Sequence, residues 1–376
     1  MKKKILILVG ICLLLAGTSL AQEIDNIKYE TEKAEVVKVG EALEVEDSFE
    51  EYHQEIQVRI LTGRKKGELA TVTNILGDNL AYNIVVEPGD KVALTIETDL
   101  ALDSEQMVIT DYYRIGNIKL LILLFILLVI LIGGRQGARA LVSLGLTIGA
   151  IVYILLPGIL KGQNPILLST LVSIGVTIIT ILLITGASRK SLAAIVGTSL
   201  GVIFAALLAF FIGKTTKLTG LSADDVTMLM YIPQKVSFNF QHLLFAGIIL
   251  GTLGAVMDVG MSIASAIDEI YQANPSLGAG ELFSSGMNVG RDIMGTMINT
   301  LILAYTGASI PILLLFMAYD STILDVINLD MIATEIVRSV SGSIGLILTI
   351  PITSLVASLL LDGASRKIES EEEKGD

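Results

Sequence analysis

Seven runs of roughly twenty apolar residues decide most of what this chain can become. They fall at about 115–133, 140–160, 165–185, 191–213, 242–263, 293–319 and 342–361. Each approaches or exceeds the ~20 helical residues that cross a ~30 Å hydrocarbon core. In lipid the backbone must satisfy its own hydrogen bonds, so the runs are read as helices. Of the 376 residues, 52% are hydrophobic and only 17% are charged. A soluble enzyme cannot bury that much apolar surface, and disorder is excluded except at the two ends. The lipid bilayer is therefore the first partner the sequence names.

Charge divides the chain in two. Residues 22–114 hold 21 acidic and 9 basic residues, which accounts for the whole net charge of −12. An acidic segment repels nucleic acid, so no nucleic-acid partner is expected. The first 21 residues read as a secretory signal: Lys2, Lys3 and Lys4, an apolar stretch from Ile5 to Leu15, then small residues around Ser19-Leu20-Ala21. An uncleaved anchor is the alternative. Cys12, the only cysteine, lies inside that stretch.

The acidic segment carries strand signals. Residues 22–52 are weakly patterned and are read as an extended lead-in. Beyond them Ile56, Val58 and Ile60 alternate with polar residues, and Leu69 to Ile75 alternates again. Asn83 to Glu87, Val92 to Ile96 and Val108 to Tyr113 complete five short strands separated by turns such as Pro88-Gly89-Asp90. A small β domain over about 50–113 is expected, an OB-like barrel or a sandwich.

The whole is then mainly α: a seven-helix transmembrane bundle over 115–365 behind an extracytoplasmic β domain, with a charged cytoplasmic tail at 366–376. Basic residues set the orientation. Arg135, Arg139, Arg189, Lys190, Arg291, Arg366 and Lys367 fall in loops that would all be cytoplasmic, which leaves the β domain outside. Gly-Ala-Ser-Arg-Lys occurs twice, at 186–190 and 363–367, each at the end of a span. The repetition suggests either a parallel 3+1+3 duplication or a stop signal used twice.

Two polar stripes interrupt the apolar spans. Gly251, Gly254, Asp258, Ser262 and Ser265 recur every three or four residues and share one helix face. Asn288, Asp292, Thr296 and Asn299 form a second stripe with Arg291 beside it. Carboxylates at membrane depth mark ion or solute paths, or else anchor helices to one another. These residues are the candidate polar pathway, with Asp258 and Asp292 expected to approach at a shared cavity. Glu335 and Arg338, three apart, form a candidate outer gate. Pro157, Pro311 and Pro351 are placed to kink spans. No metal-ligand spacing, phosphate loop or nucleophile–base set is present, so no cofactor, no metal and no catalytic residue is expected.

Three segments carry a resemblance. They are Gly254-Ala-Val-Met-Asp258-Val-Gly-Met-Ser262-Ile-Ala-Ser265, Gly286-Met-Asn288-Val-Gly-Arg291-Asp292-Ile-Met-Gly-Thr296-Met-Ile-Asn299-Thr-Leu-Ile-Leu-Ala-Tyr305, and Gly342-Ser-Ile-Gly-Leu-Ile-Leu-Thr-Ile-Pro351. They resemble the YibE/F family of bacterial membrane proteins, over about residues 55–365 and most specifically over 250–355. The resemblance implies a multi-pass protein of the bacterial cell membrane with an N-terminal extramembrane region. It implies no reaction and supplies no site residue. The expectation is a permease or exporter of a small solute or ion, as a homo-oligomer or with a partner membrane protein. The alternative is a membrane-anchored sensor or assembly factor whose outer β domain binds a partner. Neither is an enzyme.

Overall fold

The computed structural model describes residues 27–44, 52–77, 83–99, 104–222, 226, 228–231, 237–319 and 322–372, with side chains as far as Asp362. The expected signal segment and the end of the tail lie outside the described residues. The chain divides into two units between Ile132 and Gly133.

The first unit holds five antiparallel strands: β1 (Ile27–Glu44), β2 (Tyr52–Ile60), β3 (Leu69–Leu76), β4 (Lys91–Asp99) and β5 (Ser104–Tyr112). Their order is β3-β2-β1-β4-β5. β1 is the central strand. Its first half pairs with β4, from Ile27 opposite Asp99 to Glu35 opposite Lys91. Its second half pairs with β2, from Ala34 opposite Ile60 to Glu44 opposite Tyr52. Bulges between Val36 and Lys38 and between Val39 and Ala42 bend the strand, as an extra residue on one side of a ladder does. The sheet curls into a half-barrel around Ala34, Val36, Ile56, Val58, Ile60, Val72, Val92, Leu94 and Ile109, all buried.

Two expectations are corrected here. The segment 22–52 is not a lead-in, because it supplies the strand on which both halves of the sheet are built. A β domain drawn at 50–113 therefore omits its own centre. Asn83 to Glu87 is a loop, not a strand. The Asn83 amide bonds to both the N–H and the C=O of Gly77, and the Tyr112 hydroxyl donates to the Val85 carbonyl. Side chains thus occupy backbone groups that a ladder would have used.

The second unit is helical. α1 (Ile115–Leu160) runs 46 residues; its part before Gly133 belongs to the first unit, and a wide π turn interrupts it at Ile151–Leu155. It is followed by α2 (Pro165–Thr185), α3 (Arg189–Thr215), α4 (Phe240–Ala273), α5 (Ala279–Ala308), α6 (Ile310–Ala318), α7 (Ile323–Asn328) and α8 (Asp330–Glu372). Asn164, Ser188 and Asn239 cap the helices that follow them by accepting backbone N–H bonds. The π turn sits just before Pro157, which has no N–H to return to the preceding turn.

Among the described residues five helices are long and apolar enough to cross a membrane, or six if α5 and α6, bent by 60°, are one broken span. The expected first two spans both fall within α1, which counts as one of these five. Gly134, at φ 52 and ψ −125, breaks the helical course between them, a backbone state open to glycine. Pro311 starts α6 after the bend, and Pro351 lies inside α8 without ending it. The two Gly-Ala-Ser-Arg-Lys copies differ in backbone. The first breaks the chain between α2 and α3, with Gly186 at φ 77, and the second lies within continuous α8.

This unit too has a branched aliphatic core, but at one crossing it packs in a way the sheet does not. Where α3 crosses α8, a Cβ added at Gly201 would lie 1.9 Å from Thr349 Oγ1 and 2.9 Å from the Gly345 carbonyl oxygen. One added at Gly197 would lie 1.8 Å from Thr353 Oγ1. Glycines let the two backbones approach where lipid provides no hydrophobic drive to hold helices together.

Candidate functional site

α4 owes its two faces to its spacing. Phe245, Ile249, Val256, Val259, Ile263 and Ile267 are buried and face α3, α5 and α8. Gly251, Gly254, Asp258 and Ser262 run along the opposite side and are exposed. That stripe forms one wall of an open groove of about 770 Å³, with Ser143 and Thr147 of α1 and Thr180 of α2 on the other walls. The Ser143 hydroxyl donates to Thr180 Oγ1 at 2.6 Å, and the Thr147 hydroxyl donates to the Ser143 carbonyl at 3.0 Å. Asp258 makes no ion pair or hydrogen bond among the described residues. A carboxylate at this depth needs water, a proton or a cation, and the groove leaves room for any of them. Among the described residues no group of three or more His, Cys, Asp or Glu side chains could hold a metal ion.

The second stripe lies elsewhere. α5 packs through Leu282, Gly286, Gly290 and Leu301, with Gly286 against Ile267 and Ser354 and Gly290 against Ile350 and Ile263. Asn288, Arg291, Asp292, Thr296 and Asn299 are on its exposed side. Arg291 Nη1 donates to Asn288 Oδ1 at 3.1 Å. None of these residues lines the groove that holds Asp258. Asp258 and Ser262 thus stand together, as do Asn288 and Arg291, but the two stripes do not meet in that groove. Sequence spacing placed each stripe on one side of its helix. It could not tell that α4 turns its stripe toward α1 and α2.

Glu335 and Arg338 form the expected pair, with Nη1 to Oε1 at 2.9 Å. Sequence reading missed the third member, Tyr305 of α5. The Arg338 guanidinium lies over its ring, 5.7 Å from the centroid. Its hydroxyl sits 2.7 Å from where a Cβ at Gly251 would be. Glu335 Oε2 and Arg338 Nε are buried without a partner among the described residues. The cluster therefore adjoins the α4 stripe about 10 Å from Asp258. Toward the other end of α4, Asp268 pairs with Lys190 at 3.1 Å and accepts from Gln272 at 3.0 Å.

Two family models match the chain. One, described as YibE/F-like protein, covers residues 121–363. The other, the YibE/F family N-terminal domain, covers residues 28–112 and so begins one residue inside β1. No curated protein and no solved structure matches.

Proposed function

Since the chain belongs to the YibE/F family and its helices make it a membrane protein, we propose that it is a permease or exporter of a small solute or ion. One observation carries the reading: among the described residues Asp258 stands unpartnered in an open, largely apolar groove that also holds the hydroxyls of Ser143, Thr147, Thr180 and Ser262. A carboxylate there suits a proton or a small cation, either as cargo or as the ion that drives another solute. Ser262, Thr147 and the Ser143–Thr180 pair would replace part of its hydration. The Glu335–Arg338–Tyr305 cluster would close the pathway from the outer end. Seven crossings follow if α1 makes two, with α5 and α6 making one. The β unit is then outside, as an OB-like half-open barrel, and the C-terminus is cytoplasmic in a bacterial cell. No chemical conversion is assigned.

The test compares metabolite and metal contents of cells that lack the protein, carry it, or carry Asp258→Asn. Some solute should change on deletion and return with the wild-type chain but not with Asp258→Asn present at equal abundance in the membrane. Full restoration by Asp258→Asn would remove the carboxylate from any pathway. A variant that fails to accumulate would make Asp258 a packing residue.

A further inference from the structure

The exposed side of α5 is poorly matched to lipid. Gly290 packs on Ile263 and Ile350, and Leu301 lies beside Thr252 and Gly342. Asn299 falls between these contacts, so it sits level with the apolar middle of α4 and α8. It is exposed, and neither it nor Asp292 has a hydrogen bond or ion pair among the described residues. With α5 and α6 read as one broken span, an exposed amide and carboxylate on α5 call for a protein or water neighbour. Lipid tails offer neither donor nor acceptor.

We propose that this face of α5 is the contact surface for a second copy of the chain. The chemistry of the face is self-complementary. Asn288, Gly295 and Asn299 run along its centre at helical spacing, and nothing packs within 4 Å of a Cβ built at Gly295. A carboxamide carries both donor and acceptor and can pair with its own copy. Arg291 and Asp292 are consecutive, so they stand on opposite flanks of that centre line. A two-fold axis along the membrane normal places two α5 helices side by side and parallel. Each Arg291 flank then meets the Asp292 flank of the other copy, giving an isologous interface with two bidentate ion pairs. The proposal goes beyond the transport reading and does not depend on it, since it requires only that α5 lie in the membrane.

Disulfide trapping tests it in native membranes. In a Cys12→Ser background, Asn288→Cys and Asn299→Cys on α5 should each give a homodimer band on mild oxidation. Leu171→Cys, exposed on α2, should not. Thr296→Cys reads the same α5 face should either Asn variant accumulate poorly. Arg291→Asp should lower the yield at Asn288→Cys by about three- to tenfold, the worth of an interhelical polar contact. Arg291→Asp with Asp292→Arg should restore it. The proposal is overturned if the α5 positions give no dimer while the protein is present, or if Leu171→Cys dimerises equally. It is also overturned if mass analysis of the product finds a different protein joined to α5.

Discussion

Both units bury large branched side chains, and they differ in what the helical one adds where its helices cross. The sheet closes around large branched side chains: Ile56, Val58, Ile60 and Val92 are each at most 1% exposed. The helical unit buries Ile249, Val256, Ile263 and Leu346 as well, and adds close contacts at Gly197, Gly201, Gly260 and Gly345, with Thr198, Thr349 and Thr353 filling the gaps. In water, apolar area removed from solvent drives folding, at about 25 cal/mol per Å². In lipid the tails are as apolar as leucine, so packing distance takes over and small residues win.

That contrast can be broken most severely at β1. Residues 50–113 expressed alone should be unfolded by circular dichroism, whereas 27–113 should give a strand spectrum and a cooperative melt. A folded 50–113 fragment would mean that the sheet does not need its central strand. Next in size, Ile56→Ala in the 27–113 fragment should cost about 2–5 kcal/mol in a denaturant titration, the usual penalty for emptying a close-packed site. In the helical unit the same harm should come from adding atoms. Gly201→Ala should destabilise the full chain in detergent by about 1–3 kcal/mol, seen as a lowered melting temperature, and Thr349→Ala should return part of it. The finest test exchanges a methyl for a hydroxyl in both directions. Val58→Thr should cost about 1–3 kcal/mol by burying an unpaired hydroxyl. Thr353→Val should change stability little, because its hydroxyl already lacks a partner among the described residues. Equal costs for these two swaps would erase the distinction.

Much of this was legible in the sequence wherever one physical signal dominated. Ile56, Val58 and Ile60 alternate cleanly because one face of β2 is buried and the other is wet. Among the described residues five or six apolar helices announced themselves through hydropathy, although α4 and α8 extend well past their apolar parts. β1 escaped detection because, among its described side chains, Ala34 and Val36 alone are fully buried, and eight of its 18 residues are charged. Its place in the sheet comes from pairing with β2 and β4, which local pattern does not encode. The Asp258 stripe and the Glu335–Arg338 pair were readable from helical spacing alone. Tyr305 was not, because its link to Arg338 and Gly251 exists only once α4, α5 and α8 are packed.

The crossing of α3 and α8 also has a consequence in the genetic code. Glycine codons share their first two bases, and changing either base yields a larger residue or a stop. At Gly201 every missense change therefore adds at least the Cβ that would stand 1.9 Å from Thr349 Oγ1. At Gly345 it would stand 2.7 Å from the Ala205 Cβ. Random mutation can explore the exposed apolar surface of α1 freely, exchanging one aliphatic side chain for another. At this crossing its first step in any direction is a collision.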